Sequence, residues 1–245
     1  MKSRYTLVSL NLWNTEHLDE RRECLVSFLK TYRADIFCFQ EIRTELCDLF
    51  DSTLPDYHRV EGPEPGWKNE GTIYYNKELF SEEAHGRVDL EMPEKDRGLF
   101  WVRLRTADGK RLLAMTVHFT HQLNADENRT GMPYRPREAR RVVEALKELE
   151  ENDGVILAGD FNDPVQPVHI LHEEGGMEDV FRILGVPSPV TFPCIYLSEE
   201  DWQVEAIDKI LVKNGIRPLV ACSPRYHIPG GVLSDHWPVM TCFEY

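Results

Sequence analysis

At six places in this chain an apolar run ends on a polar side chain able to bind a cation or move a proton. Leu10 is followed by Asn11, Phe39 by Gln40 and Glu41, and Val117 by His118. Ala158-Gly159 leads into Asp160 with Asn162 two residues on, Ile207 leads into Asp208, and Leu233-Ser234 leads into Asp235-His236. Carboxylate and carboxamide oxygens are the hard donors that Mg²⁺ or Mn²⁺ select. Imidazoles add proton transfer and hydrogen bonding to a phosphoryl oxygen. Each feature alone has an ordinary explanation. A Gln-Glu pair after an apolar run commonly marks a strand leaving the core. Gly159-Asp160-Phe161-Asn162-Asp163-Pro164 is rich in residues that turns require, and Asp208 beside Lys209 is compatible with a surface ion pair. As a set, six polar strand ends point to one cation-dependent site assembled by folding.

Periodicity indicates the elements that must position these groups. Tyr5 to Leu10 reads as a buried strand, Leu18 to Tyr32 has apolar residues near helical period, and Asp35 to Phe39 returns to strand, which makes a crossover unit. A second such unit comprises a strand at Leu112 to Val117, an amphipathic helix opened by a proline at Pro136 to Leu149, and a strand at Val155 to Ala158. Gly71 to Tyr75, Arg87 to Leu90 and Leu99 to Arg105 read as antiparallel strands, and Ala206 to Val212, Ile216 to Ala221 and Trp237 to Phe243 continue that texture. Gln122 to Arg135 and Gly185 to Glu205 read as long polar loops, a length more common in functional segments than in plain connectors. No linker divides the chain and no repeat is evident. The expectation is a single catalytic domain over residues 1–245, of α/β class, with two packed mixed sheets and helices on the outer faces.

Composition bounds the partners. The chain has 245 residues, 42% hydrophobic and 29% charged, enough for a sizeable core. Its 28 basic and 42 acidic residues give a net charge of −14. Proteins that grip long nucleic acid usually present a basic face, and no dense basic run exists here. A small phosphate-bearing substrate stays open, because a bound cation reverses the local field. Six cysteines are scattered without CxxC spacing, and Cys38 and Cys242 sit in strand-like runs where a thiol acts as a small hydrophobe. No stretch has the length of a signal-peptide core or a membrane span, so the expectation is a soluble cytoplasmic protein with no obligate protein partner.

Ser9-Leu10-Asn11-Leu12-Trp13-Asn14, Gln40-Glu41-Ile42-Arg43, Thr116 to His121, Gly159-Asp160-Phe161-Asn162, Ile207 to Leu211 and Ser234 to Val239 form an ordered set of motifs. That set resembles the endonuclease/exonuclease/phosphatase superfamily, the deoxyribonuclease I-like metal-dependent phosphoesterases. The resemblance spans nearly the whole chain. It implies a four-layer α/β sandwich with the site at one end of the sheets, in agreement with the pattern reading.

Carried over residue by residue, the resemblance implies Glu41 as principal ligand of Mg²⁺ or Mn²⁺, with Asn11 and Asp235 completing or supporting the metal site. It implies that Asp160 orients or deprotonates the attacking water and that Asn162 holds the phosphate or that water. His236 would contact the phosphoryl group or serve as base, with Asp208 fixing its tautomer, and His118 would hydrogen-bond a phosphate oxygen. Arg140, in Glu138-Ala139-Arg140, resembles a recurrent arginine on the crossover helix, and Arg43 is a second substrate-binding candidate. The implied reaction is in-line attack of water on phosphorus without a covalent enzyme intermediate.

Substrate choice lies in loops, and fold does not name it. Trp13, Trp67 and Trp237 could stack on a base or simply fill the core, and Arg97 and Lys68 could meet a second phosphate or remain on the surface. The acidic balance favours a small phosphodiester or phosphomonoester, or a short nucleic-acid end. A nuclease or DNA-repair phosphodiesterase would use the same chemistry and would carry a basic groove. An inactive binding module would lack a ligand, whereas every expected position is filled.

Overall fold

The computed structural model describes residues 3–151, 153–194 and 205–245. In chain order the elements are Arg4–Asn11 (β1), Leu18–Tyr32 (α1), Ile36–Gln40 (β2), Thr44–Thr53 (α2), Tyr57–Arg59 (β3), Gly66–Asn69 (α3), Gly71–Asn76 (β4), Phe80–Val88 (β5), Leu99–Thr106 (β6) and Arg111–His118 (β7). There follow Ala125–Thr130 (α4), Arg135–Leu149 (α5), Gly154–Asp160 (β8), Gln166–Glu173 (α6), Glu178–Asp179 (β9), Val180–Leu184 (α7), Asp208–Lys213 (β10), Arg217–Cys222 (β11), His227–Ile228 (β12), Gly231–Val232 (β13) and Val239–Glu244 (β14).

Two six-stranded sheets face each other, ordered β11-β14-β1-β2-β4-β3 and β5-β6-β7-β8-β10-β9. Within them β1–β2 and β7–β8 run parallel, the first pair joined through α1 and the second through α4 and α5, and the remaining neighbours are antiparallel. Three apolar clusters define four layers. Tyr5, Leu7, Ile36, Cys38, Leu112, Ala114, Ile156, Ala158, Ile210 and Val212 fill the space between the sheets. Val8, Leu10, Phe37 and Phe39, on the opposite face of the same strands, pack under α1 and α2. Leu113, Met115, Leu157 and Leu211 pack under α5 and α6. Both faces of these strands are covered, so they read as continuous apolar runs rather than as alternating ones.

Side chains alternate between faces with period two, and this rule delivers the site. The inward rows Tyr5-Leu7-Ser9, Ile36-Cys38, Leu112-Ala114-Thr116, Ile156-Ala158 and Val212-Ile210 end on Asn11, Gln40, His118, Asp160 and Asp208 respectively. Strand register then sets those ends level, since Asn11 lies opposite Gln40, and Asp160 lies between His118 and Asp208. Gly159 is required for this. Its φ is +153°, and a Cβ there would sit 1.9 Å from the Val117 carbonyl oxygen.

Several expected boundaries change. The strand expected at Arg87 to Leu90 is the tail of the longer β5, whose middle, Glu82-Glu83, interrupts the apolar signal, and Leu90 is a buried loop residue. The stretch Gln122 to Arg135 is not all loop. It contains α4, capped by the Asn124 side chain, and its last residue already opens α5. Asn124 and Gly131 supply the two caps of a polar helix too short for periodicity to reveal. The second long stretch, Gly185 to Glu205, lies partly outside the described residues. All six cysteines are free thiols, and among the described residues no helix is long and apolar enough to cross a membrane.

Candidate active site

Beyond the last residue of β2 the backbone enters the left-handed region at Glu41, φ +55°. This turns the carboxylate back over the strand ends. Both its oxygens are held by amides, Oε1 accepting from Asn11 Nδ2 at 3.2 Å and Oε2 from Asn14 Nδ2. Asn11 Nδ2 also donates to Asp160 Oδ2 at 3.0 Å, while its own oxygen accepts from the Trp13 amide at 3.0 Å. Asn11 therefore presents N–H groups to the two carboxylates and orders them, while its oxygen is engaged by the Trp13 amide.

Asp160 is 1% exposed. Its Oδ1 accepts from the Asn162 amide at 2.9 Å, and its Oδ2 lies 3.4 Å from His118 Nε2 and 3.8 Å from His236 Nε2. His236 Nδ1 donates to Asp208 Oδ2 at 2.8 Å, which fixes the tautomer and leaves Nε2 facing the pocket. The Phe192 ring packs against this imidazole with centroids 4.8 Å apart. Burial lifts the Asp160 carboxyl to about 7; the His236 charge opposes that rise and the Asp208 charge adds to it. For His236 burial disfavours the charged ring, but the Asp208 and Asp160 carboxylates prevail and raise it to about 10. His118 goes the other way. Burial, reinforced by Arg97 and His236, drives it well below the usual imidazole range, so it is neutral at physiological pH. Asp235, steadied by the Ser234 hydroxyl at 3.1 Å, is raised by burial, with the nearby Glu41 charge adding to the effect.

Among the described residues no lysine or arginine pairs with Glu41, Asp160, Asp208 or Asp235. Buried carboxylates in such company are costly unless a cation joins them. Asp208 Oδ1 is buried without a hydrogen-bond partner, and Asp160, Asp208 and His236 offer ligand atoms within 4.8 Å of one another. An all-oxygen set with an imidazole at its edge fits a hard divalent ion. Ligation through Asp208 would compete with its hydrogen bond to His236, whereas Glu41 and Asp235 lie outside that pair.

The structure thus brings Asn11, Glu41, His118, Asp160, Asn162, Asp208, Asp235 and His236 into one pocket. Asn162, also left-handed at φ +49°, spends one side-chain N–H on the Phe119 carbonyl at 2.9 Å. Arg43 lies at the rim, bonded to the carbonyls of Ile42 and Asn69 and 3.7 Å from Glu70. Arg140 is not brought to the site. It projects from α5 with its side chain 54% exposed and pairs with Glu174 at 3.1 Å. The helix position that does turn inward is Arg135, buried against Glu127 and the Thr120 carbonyl. Trp67 is a core residue at 0% exposure, set edge-on against Phe100. Lys68 is a surface cation 3.9 Å from Glu61. Trp237 is covered by Arg225, and Arg97 binds Glu70 at 3.3 Å and the Phe119 carbonyl. Trp13 lines a cavity of about 240 Å³ with His17, Arg21, Gly231 and Val232.

Two participants escape a sequence reading. Asn14 holds Glu41, and its only signal was a second amide three residues past Asn11. Glu70 stands 3.9 Å from His118 Nδ1; it lies between the short α3 and β4, where no strand end announces it.

The chain from residue 8 to residue 236 matches the model of the endonuclease/exonuclease/phosphatase family. Escherichia coli (strain K12) YbhP, itself described as uncharacterized, is 28% identical over 241 residues, covering 86% of this chain and 83% of YbhP. Tyrosyl-DNA phosphodiesterase 2 of Danio rerio is 25% identical over 186 residues, which is 73% of this chain but 47% of that protein. In three dimensions a humanized form of the D. rerio enzyme superposes with a TM-score of 0.82 at 20% identity over 99% of each chain. The mannosyl-6-phosphatase of Bacteroides thetaiotaomicron gives 0.75 at 21% identity over 97% and 98%. With this match running from β1 to the Asp235-His236 pair, the chain belongs to the endonuclease/exonuclease/phosphatase family, a family of phosphoric ester hydrolases.

Proposed function

We propose that this protein is a divalent-metal-dependent phosphoesterase in which water attacks phosphorus in line, with Mg²⁺ or Mn²⁺ held by Glu41 and Asp235. The observation that carries the reading is the meeting of four carboxylates, Glu41, Asp160, Asp208 and Asp235, around the single charged imidazole of His236, with no lysine or arginine paired to any of them among the described residues. When bound, the cation polarises a non-bridging oxygen and stabilises charge on the leaving oxygen. The chain's own groups divide the remaining work. His236, protonated and anchored through Nδ1 to Asp208, presents Nε2–H as a fixed donor to a phosphoryl oxygen. That charge state leaves Asp160 as the base, since a carboxyl raised to about 7 is matched to taking a proton from water near neutrality. Neutral His118 contributes a donor from the neighbouring strand end. Asn162 holds Asp160 through its backbone N–H, and Arg43 meets the substrate at the rim.

A small phosphodiester or phosphomonoester suits the net charge of −14, which disfavours long polyanions. The similarity to tyrosyl-DNA phosphodiesterase 2, solved with a single-strand DNA product, supports a short nucleic-acid end as second reading. The test is a hydrolysis screen across aryl phosphodiesters, phosphomonoesters and 5′-modified oligonucleotides, with and without chelator. Glu41→Gln is expected to lower metal-dependent turnover by a factor on the order of 10³, equivalent to several kcal/mol of lost charge stabilisation. Turnover that survives both chelator and Glu41→Gln would refute the metal reading. Cleavage confined to oligonucleotide ends would select the second.

A further inference from the structure

Arg21 lies in the first turn of α1, next to Arg22, and the two look alike in the sequence. In the fold they differ completely. Arg21 is 1% exposed, and its guanidinium has no carboxylate within ion-pair reach among the described residues. It donates instead to five main-chain carbonyls. Nε meets Glu16 O at 2.7 Å, Nη1 meets Leu12 O at 3.0 Å and Leu233 O at 2.5 Å, and Nη2 meets Asn14 O at 3.1 Å and Trp13 O at 3.5 Å. A buried cation paired only with neutral dipoles is costly, so a local gain must offset it.

Four of these carbonyls, all but that of Glu16, belong to the two segments that flank the proposed metal ligands. Leu12 to Asn14 follows Asn11 and supplies the amide that fixes Glu41 Oε2, whereas Leu233 is two residues before Asp235. They are 212 positions from Arg21 at the far contact, and one guanidinium group bonds to both. The first segment also needs external support. Trp13, Asn14 and His17 all have left-handed backbones, φ +52°, +48° and +50°, a conformation that side-chain-bearing residues keep only where surrounding contacts over-determine it. The flat fork of donors in arginine can span such a set of acceptors; the point charge of lysine cannot. Burial lowers the Arg21 pKa, and the largest opposing influence is the negative charge of Asp235.

We infer that Arg21 is a positioning residue of the metal site: it ties the Leu12–Asn14 and Leu233–Asp235 segments together, so that Glu41 and Asp235 stand at cation-binding separation before a cation arrives. The inference rests on the metal-site reading above. It makes Arg21 neither ligand nor catalytic residue, and the effect runs through preorganisation.

Two measurements test it. In Arg21→Lys, calorimetric Mn²⁺ affinity is expected to fall by about tenfold, the usual effect of removing a partner behind a metal ligand. Amide exchange in the metal-free protein is expected to quicken in residues 12–14 and 233–235 alike. Affinity within twofold of the parent, or faster exchange in only one segment, overturns the inference. Native-state exchange on the unsubstituted protein needs no variant to fold: the two segments should open together, with one denaturant dependence, and independent opening overturns the coupling. A parent protein that binds no Mn²⁺ would refute the metal reading, and the exchange result would still decide the clamp.

Discussion

Strand β8 starts beside one buried aspartate, Asp153, and ends on another, Asp160, at 0% and 1% exposure. At the first end Arg103 Nε stands 2.7 Å and Arg111 Nε 2.9 Å from the Asp153 carboxylate, so the charge is neutralised locally. At the other end Asp160 has two imidazoles, two amides and a second aspartate as neighbours, and among the described residues no arginine. The parallel neighbour β7 repeats the contrast, starting on Arg111 and ending on His118. Both aspartates are equally hidden, so burial alone does not mark function. What distinguishes the ends is the counter-charge the fold supplies: two arginines on one carboxylate at Asp153, but a single titratable imidazole shared by several carboxylates at Asp160. At the first end the carboxylate holds the structure together; at the second an excess of negative charge remains, as the proposed cation site requires.

If that contrast is correct, the same Asp→Asn change has opposite consequences at the two ends. Asp160→Asn should reduce turnover by about 10²–10⁴, the range for loss of a positioned base, without loss of thermal stability. In the metal-free protein it should raise stability near neutral pH. A carboxyl lifted from 3.8 to about 7 costs folding free energy as pH rises through that window, because the unfolded chain releases the proton first, and the amide removes this cost. A variant that keeps parental turnover would remove Asp160 from the chemistry. Asp153→Asn should do the reverse. It leaves the largely buried Arg103 without its carboxylate, while Arg111 keeps Glu151, at a cost on the order of 3 kcal/mol for the broken buried pair. A melting temperature lower by roughly 6–12 °C should follow, with turnover unchanged well below the transition. An activity loss without a stability loss there would break the comparison. The smallest effect is expected at Arg140→Ala. Its pair with Glu174 is solvated on both sides, and such pairs contribute about 0–1 kcal/mol. Turnover within about twofold of the parent is expected on that basis, and a tenfold loss would return Arg140 to substrate binding.

Much of the site was legible because the sandwich preserves a one-dimensional rule. Strands covered on both faces appear as unbroken apolar runs, and the residue that ends each run stands at the sheet margin. Asn11, Glu41, His118, Asp160 and Asp208 could all be read that way. Asp235 and His236 were readable as an adjacent acid–imidazole pair. Arg140 was misplaced because helical position relative to the site depends on the rotation of α5 about its axis. That rotation is set by packing of Ala139, Val142, Val143 and Leu146 on the sheet, and it turns Arg135 inward instead. Glu70 and Asn14 sit in turns, where neither period nor run length carries information, and α4 is too short and too polar to show a face.

The sequence by itself determined the layers, the inventory of ligating groups and the strand ends that carry them, because local periodicity and strand burial are properties of neighbours in the chain. Tertiary structure alone decided which charges would be paired. Arg21 and Arg22 are adjacent and chemically identical, yet one is enclosed by five carbonyls and the other is exposed beside Asp19. Asp153 and Asp160 are seven positions apart on one strand and meet opposite fields. The electrostatic fate of a side chain depends on what lies across the fold from it, at distances of a few ångströms, and that adjacency exists only after the two sheets have packed.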